Sequence, residues 1–160
     1  MSNRIAPVQE PVTGRERIAD PAQPRHGLVQ FYRALNSRDL ALMAQSREQS
    51  GEAAMDDPLA GIKRGWPEIR PVYERLLRLA RPMFFEFRDY TEHGTADLYW
   101  GIGRERGHPG RGDERLDPAI RTTRLFRLAG THGRQSHHHG SIEDPRVPAS
   151  DLALIGDSGP

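Results

Sequence analysis

Apolar residues fall into two regimes along this chain. In the first, Leu28, Phe31, Tyr32 and Leu35 recur at i, i+3, i+4 and i+7 and line one face of an α-helix. Asn36-Ser37-Arg38-Asp39 interrupts that pattern, and Leu40, Leu42 and Met43 begin a shorter helix that Ser37 or Asp39 can cap. Gly65-Trp66-Pro67-Glu68 opens a third helix with proline near its first turn, where a missing N–H is least felt. Ile69, Val72, Tyr73, Leu76 and Ala80 form its buried stripe. Pro71 lies about one turn in and predicts a late start or a bend. Pro82 stops the helix, and the period then changes from 3.6 to 2.

Residues 83–90, 98–104 and 121–128 read as strands, and a weak candidate precedes them at 52–56. The clearest hairpin is Ile120 to Ser141, in which arginines alternate with Thr122, Leu125, Phe126 and Leu128. Ala129-Gly130-Thr131-His132-Gly133 turns the chain, and the return strand ends in three histidines. Residues 105–116 carry three glycines, a proline and six charges, the signature of a flexible wet loop. The pattern predicts an α+β domain in which three N-terminal helices pack in the concave face of a curved, mostly antiparallel sheet.

At 160 residues the chain makes one domain with a real core. Only 36% of residues are apolar, which fits if both ends stay unpacked. Residues 1–24 hold four prolines without periodicity and read as a disordered or loosely docked arm. The domain itself spans 25–144, and 145–160 reads as a flexible, dispensable tail. A net charge of +1 gives no electrostatic case for nucleic acid. Cysteine is absent, so disulfide and thiolate chemistry are excluded. No apolar leader or membrane span is visible, which predicts a cytoplasmic protein without a membrane partner.

Candidate chemistry concentrates at two places. Period-2 geometry puts His137 and His139 on one face and His138 on the other. Two histidines at i, i+2 need a third metal ligand, and none has the spacing, so neither a metal site nor a cofactor is predicted. The pair reads as a pocket-lining acid/base couple or as surface histidine. Arg124 on the neighbouring strand reads as a carboxylate-binding guanidinium on a pocket floor or as a solvated sheet charge. Asp57, ahead of Pro58, reads as a general base or as a turn residue. Trp66, Tyr99 and Trp100 read as core or dimer contacts.

The order of elements, with DPLAGIKRGWPEIRPVYERL and TRLF…HHHGS, resembles the superfamily of nuclear transport factor two and the SnoaL-like proteins, also called the ketosteroid isomerase-like fold. The resemblance covers about residues 25–144. Thr123-Arg124-Leu125-Phe126 followed by His137-His138-His139-Gly140-Ser141 is similar to the association domain of the calcium/calmodulin-dependent kinase, with Gly133 where many relatives carry tryptophan. Asp56-Asp57-Pro58-Leu59-Ala60-Gly61 resembles the segment of ketosteroid isomerases that bears the proton-shuttling aspartate, which implies Asp57 as base. The isomerase tyrosine falls on Phe31, one place from Tyr32, and its second donor falls near Thr122 or Thr123, so that activity is not carried over.

The resemblance implies a small-molecule pocket protein. One form is a lyase, isomerase or hydrolase with Asp57 as base, His137 and His139 lining the pocket, and Tyr32, Trp66 and Arg124 touching a carboxylate or polycyclic ligand. The other is a non-catalytic dimerisation or ligand-binding module. Three short helices cannot cover both faces of such a sheet, so a homodimer through the outer face is expected.

Overall fold

The computed structural model describes residues 4–58, 60–80, 83–109 and 119–143. The expected tail at 145–160 and residues 110–116 of the expected loop lie outside them. Helix α1 (Arg25–Ser37) buries the predicted stripe of Leu28, Phe31, Tyr32 and Leu35. Arg38 ends it in the left-handed region at φ 58°. Asp39 rather than Ser37 caps α2 (Leu40–Ser46), its carboxylate accepting from Leu42 N. Helix α3 (Gly65–Leu77) starts where expected, and Glu68 Oε2 accepts from Arg64 N at 2.8 Å as a cap. Pro71 lies inside it without delaying the start.

Six strands form one sheet in the order β2-β1-β6-β5-β4-β3. They are β1 (Ala54–Asp57), β2 (Gly61–Arg64), β3 (Met83–Gly94), β4 (Leu98–Pro109), β5 (Ile120–Ala129) and β6 (His132–Ile142). All pairs are antiparallel except β1 with β6. Strand β2 has no sequence signal, because it is a four-residue edge strand with little buried surface. Glu105 to Pro109 continue β4 instead of starting a loop, since Glu105 turns its carboxylate into the core. A bulge between Arg88 and Thr91 bends β3, with Asp89 at φ 47°. Gly103 of β4 accommodates it: a Cβ there would come within 2.5 Å of Tyr90 Cβ.

The N-terminal arm is docked on the sheet. Val8 exchanges backbone hydrogen bonds with Tyr90 (2.7 and 3.2 Å) and Val12 with Phe87 (2.9 and 3.0 Å), so the arm covers the free edge of β3. Val12 is completely buried. The polar side of α1 completes the attachment. Arg33 donates to the carbonyls of Gly14 and Glu16 at 2.8 Å, and Asn36 links Thr13 and Phe85. These partners are remote in sequence, so the arm's own composition could not reveal them. No helix among the described residues is long and apolar enough to cross a membrane.

Because Val12 has no exposed surface, Val12→Ala should lower stability by about 2 kcal/mol through lost burial and the cavity left behind. Urea unfolding at constant slope measures this, and an unchanged midpoint would mean that the arm contributes nothing.

Candidate functional site

Strand register decides which side chains meet inside. Across the β5–β6 pair, Arg124 lies opposite His138, Thr123 opposite His139 and Leu125 opposite His137. Directly opposed residues share a face. Thr122, Arg124 and Phe126 are buried, so the face they share with His138 is the inner one. His137 and His139 do share a face, but it is the outer one. The expected grouping of both with Arg124 in one cavity is therefore corrected by one position. His139 Nδ1 lies 3.0 Å from Asp56 Oδ2, with half of the histidine side chain exposed. His137 is half-buried, and its pKa is lowered first by burial and then by the neighbouring His139 and Arg47.

A second irregularity lets two polar residues of β6 point inward. Ser136 is the extra residue of a bulge between the Leu125–His137 and Phe126–Gln135 pairs. Gln135 is consequently inside along with His138, and it is wholly buried.

Arg124 has a built environment. Its guanidinium pairs with Glu105 of β4, and its Nε donates to Tyr32 Oη at 3.0 Å. Tyr32 in turn donates to Glu105 Oε2 at 2.6 Å. The guanidinium carbon sits 3.9 Å from the centroid of the Phe31 ring. Burial pushes the Tyr32 hydroxyl well above its ordinary range. Tyr32 is thus buried beside Arg124, as a group that orients it.

Arg47 has no such compensation. It follows α2, forms a parallel bridge with Gln135, and is fully buried. Its Nη2 donates a long hydrogen bond to the Ala54 carbonyl at 3.5 Å. Its guanidinium carbon lies 5.7 Å from the Tyr73 ring centroid. Burial lowers its pKa, with Arg124 adding to the effect. Besides Arg25 Nε, His26 Nδ1 and Glu48 Oε2, the described residues bury Arg47 Nε and Nη1, Arg124 Nη1, Tyr73 Oη, both amide atoms of Gln135 and both ring nitrogens of His138 without a hydrogen-bond partner. Such groups are scarce in folded proteins and each one calls for a cause. The set from Arg47 to His138 belongs to one neighbourhood: burial, then Arg124 and Arg47, hold the His138 pKa well below 6.5.

Asp57 continues the inner side of β1 by alternation from Met55, the register partner of His138. Its Oδ1 accepts from Ala60 N at 3.0 Å, as a turn residue would. A Cβ on Gly140 would lie 3.1 Å from Pro58 Cδ and 3.3 Å from His138 Nε2, so the Asp57-Pro58 turn closes over His138. Trp66 is only partly buried and packs against the core. Sequence reasoning missed Arg47, Gln135, His138, Glu105 and Tyr73 as site residues. The pattern of Thr122, Arg124 and Phe126 could have marked His138, but Leu125 made the inner face ambiguous.

No protein-family model and no curated sequence matches this chain. Solved structures do. A protein from Thiobacillus denitrificans described as a calcium/calmodulin-dependent protein kinase type II association domain is 24% identical, covering 81% of this chain and all of its own, with TM-score 0.68. A Streptomyces avermitilis protein described as a dehydratase of the NTF2-like family is 17% identical over 72% of this chain and 90% of its own, with TM-score 0.65. A Shewanella frigidimarina protein described as a ketosteroid isomerase is 14% identical over 77% and 96%, with TM-score 0.61. The chain therefore has the nuclear transport factor 2-like fold, in which helices fill a cone made by the sheet.

The His138 environment sets a pH dependence of stability. In the unfolded chain histidine titrates near 6.5. Folding lowers that pKa, so below about pH 6.5 the unfolded state binds more protons and stability falls with falling pH until the folded pKa is passed. His138→Gln should flatten this slope but not abolish it, since His26 and His137 are lowered too. Urea midpoints between pH 7.5 and 5 test this, and identical slopes in the two proteins would refute it.

Proposed function

We propose that this protein is a small-molecule pocket protein whose ligand carries a carboxylate, bound inside the cone by Arg47, His138 and Gln135. The observation that carries this reading is Arg47, a fully buried guanidinium with two nitrogens lacking a partner. A buried cation without a counter-charge costs several kcal/mol, which a long hydrogen bond to the Ala54 carbonyl and the Tyr73 ring offset only in part. A carboxylate would take the free N–H groups of Arg47 and Arg124 in charge-assisted hydrogen bonds. Arg124 already shares its charge with Glu105, so among Arg47, Arg124 and Glu105 one positive charge remains, a match for one carboxylate. A polycyclic ketone would leave that charge unmet. Trp66, which packs against the core, plays no part in this reading.

Whether the pocket also catalyses turns on Asp57. Its place on the inner side of β1, in the turn against His138, favours a general base acting on a bound carboxylate compound. Its hydrogen bond to Ala60 N favours a binding module. The dehydratase and isomerase descriptions of the similar structures belong to those proteins, as does the association-domain description.

Thermal shift with acetate, propionate and larger monocarboxylates measures binding through the stabilisation it brings. Arg47→Met should weaken it about ten- to a hundred-fold, the worth of charge-assisted hydrogen bonds, without lowering the melting temperature of the free protein. A free protein that melts far lower would make Arg47 a structural residue. Asp57→Asn should leave binding intact, and any base-dependent turnover found with the wild type should drop by about two to four orders of magnitude. Lost binding in Asp57→Asn, or undiminished turnover, would remove Asp57 as the base.

We also propose a homodimer through the outer sheet face. Trp100, Leu125 and His137 form one row there, and Ile102, Thr123 and His139 the next, with Ile102 46% exposed. Light scattering should give twice the 18.0 kDa chain mass, reduced to one chain mass by Ile102→Glu. A monomeric wild type at micromolar concentration would end this proposal.

A further inference from the structure

We propose that the interior site binds its anion together with a proton, and that His138 is the group that takes it. This rests on the carboxylate reading above and adds the coupling by which the site responds to pH. Its basis is the placement of the imidazole. His138 is 5% exposed, and neither ring nitrogen has a hydrogen-bond partner among the described residues. A neutral imidazole offers one donor and one acceptor, whereas an imidazolium offers two donors. An anion can accept from both Arg47 and His138, but only the protonated ring is also matched to it in charge.

The groups around His138 fix the sign. Arg124 of β5 stands directly across from it, and Arg47 approaches from the segment after α2. On its own strand, His137 and His139 face the other way, and both act on it to disfavour charge. From β1 it meets apolar Met55, with Asp57 two residues further along the same side. Tyr32 of α1 and Glu105 of β4 are engaged with Arg124, and Tyr73 of α3 lies beside Arg47. In the free protein burial acts most on His138 and Arg124 and Arg47 act next, all three disfavouring charge on the ring, so the ring is neutral. A bound carboxylate reverses the nearest charge. It neutralises Arg47 and presents a negative oxygen to the ring, both of which favour the imidazolium.

The consequence follows by linkage. Binding raises the His138 pKa, so the complex holds a proton that the free protein lacks. Affinity then increases as pH falls through the bound-state pKa, by up to about tenfold per pH unit for one coupled proton, and levels off below the free-state pKa. The site would hold its ligand in an acidified environment and release it as pH rises.

The full chain, with its histidine rings labelled with ¹⁵N, can be titrated with acetate at several pH values from 5.5 to 8. One histidine should be neutral at pH 6.5 without acetate and become imidazolium at saturation, with acetate affinity climbing as pH falls. His138→Gln should bind acetate no more tightly at pH 5.5 than at pH 8, losing both the ring signal and the slope. If that variant fails to fold, the ring is assigned in the wild type through its proximity to Gly140. Acetate affinity that is independent of pH, or a protonating ring that survives in His138→Gln, would overturn the inference while leaving the carboxylate reading standing. Coupled uptake with His138 still neutral would place the proton on the carboxylate itself and would also overturn it. No response to acetate or propionate at any pH would overturn both readings together.

Discussion

The interior of this protein is organised by the cost of burying positive charge. Arg124 emerges from the middle of β5 into the space beneath α1, where water cannot solvate it. Its stability there depends on Glu105 and Tyr32, which come from β4 and α1. The triad links two adjacent strands to the helix that covers them, so removing any member leaves a buried polar group unmatched. This explains why Glu105, in a segment rich in glycine and charge, belongs to a strand. Its carboxylate is fixed by the cation it serves.

Arg47 stands against that background as the exception. The same fold that supplies Arg124 with a carboxylate leaves Arg47, Gln135, His138 and Tyr73 with free polar atoms. A protein that gained nothing from this arrangement could fill the space with apolar side chains at no loss of stability. The contrast between one matched and one unmatched arginine is a physical reason to read the interior as a binding site. It also explains the neutral imidazole: burial and two nearby guanidiniums disfavour a third positive charge.

The sheet's shape depends on two local irregularities. The bulge in β3 turns Tyr90 inward over Gly103, and the arm then completes that edge through Val8 and Val12. The bulge in β6 turns both Gln135 and His138 inward. At the other end of the sheet, β2 pairs with β1 and packs against α3. One edge is thus covered by the chain itself, while the outer face keeps Trp100, Leu125 and Ile102 in adjoining rows.

The sequence by itself determined the elements whose signal is periodic. Leu28, Phe31, Tyr32 and Leu35 specify the buried face of α1 because the 3.6-residue repeat allows no other placement. The runs around Phe85, Tyr99 and Phe126 specify strands in the same way, and with them the α+β class and the motif resemblance. What the sequence left open was every choice that rests on long-range pairing. Alternation divides His137 and His139 from His138 but does not say which set faces inward. That was decided by the register against β5 and by the bulge at Ser136. Arg47, Glu105 and the arm became meaningful only once partners from other elements were brought beside them. A buried charge or an edge-covering segment has no local signature, because the energy that fixes it comes from groups the chain reaches only after folding.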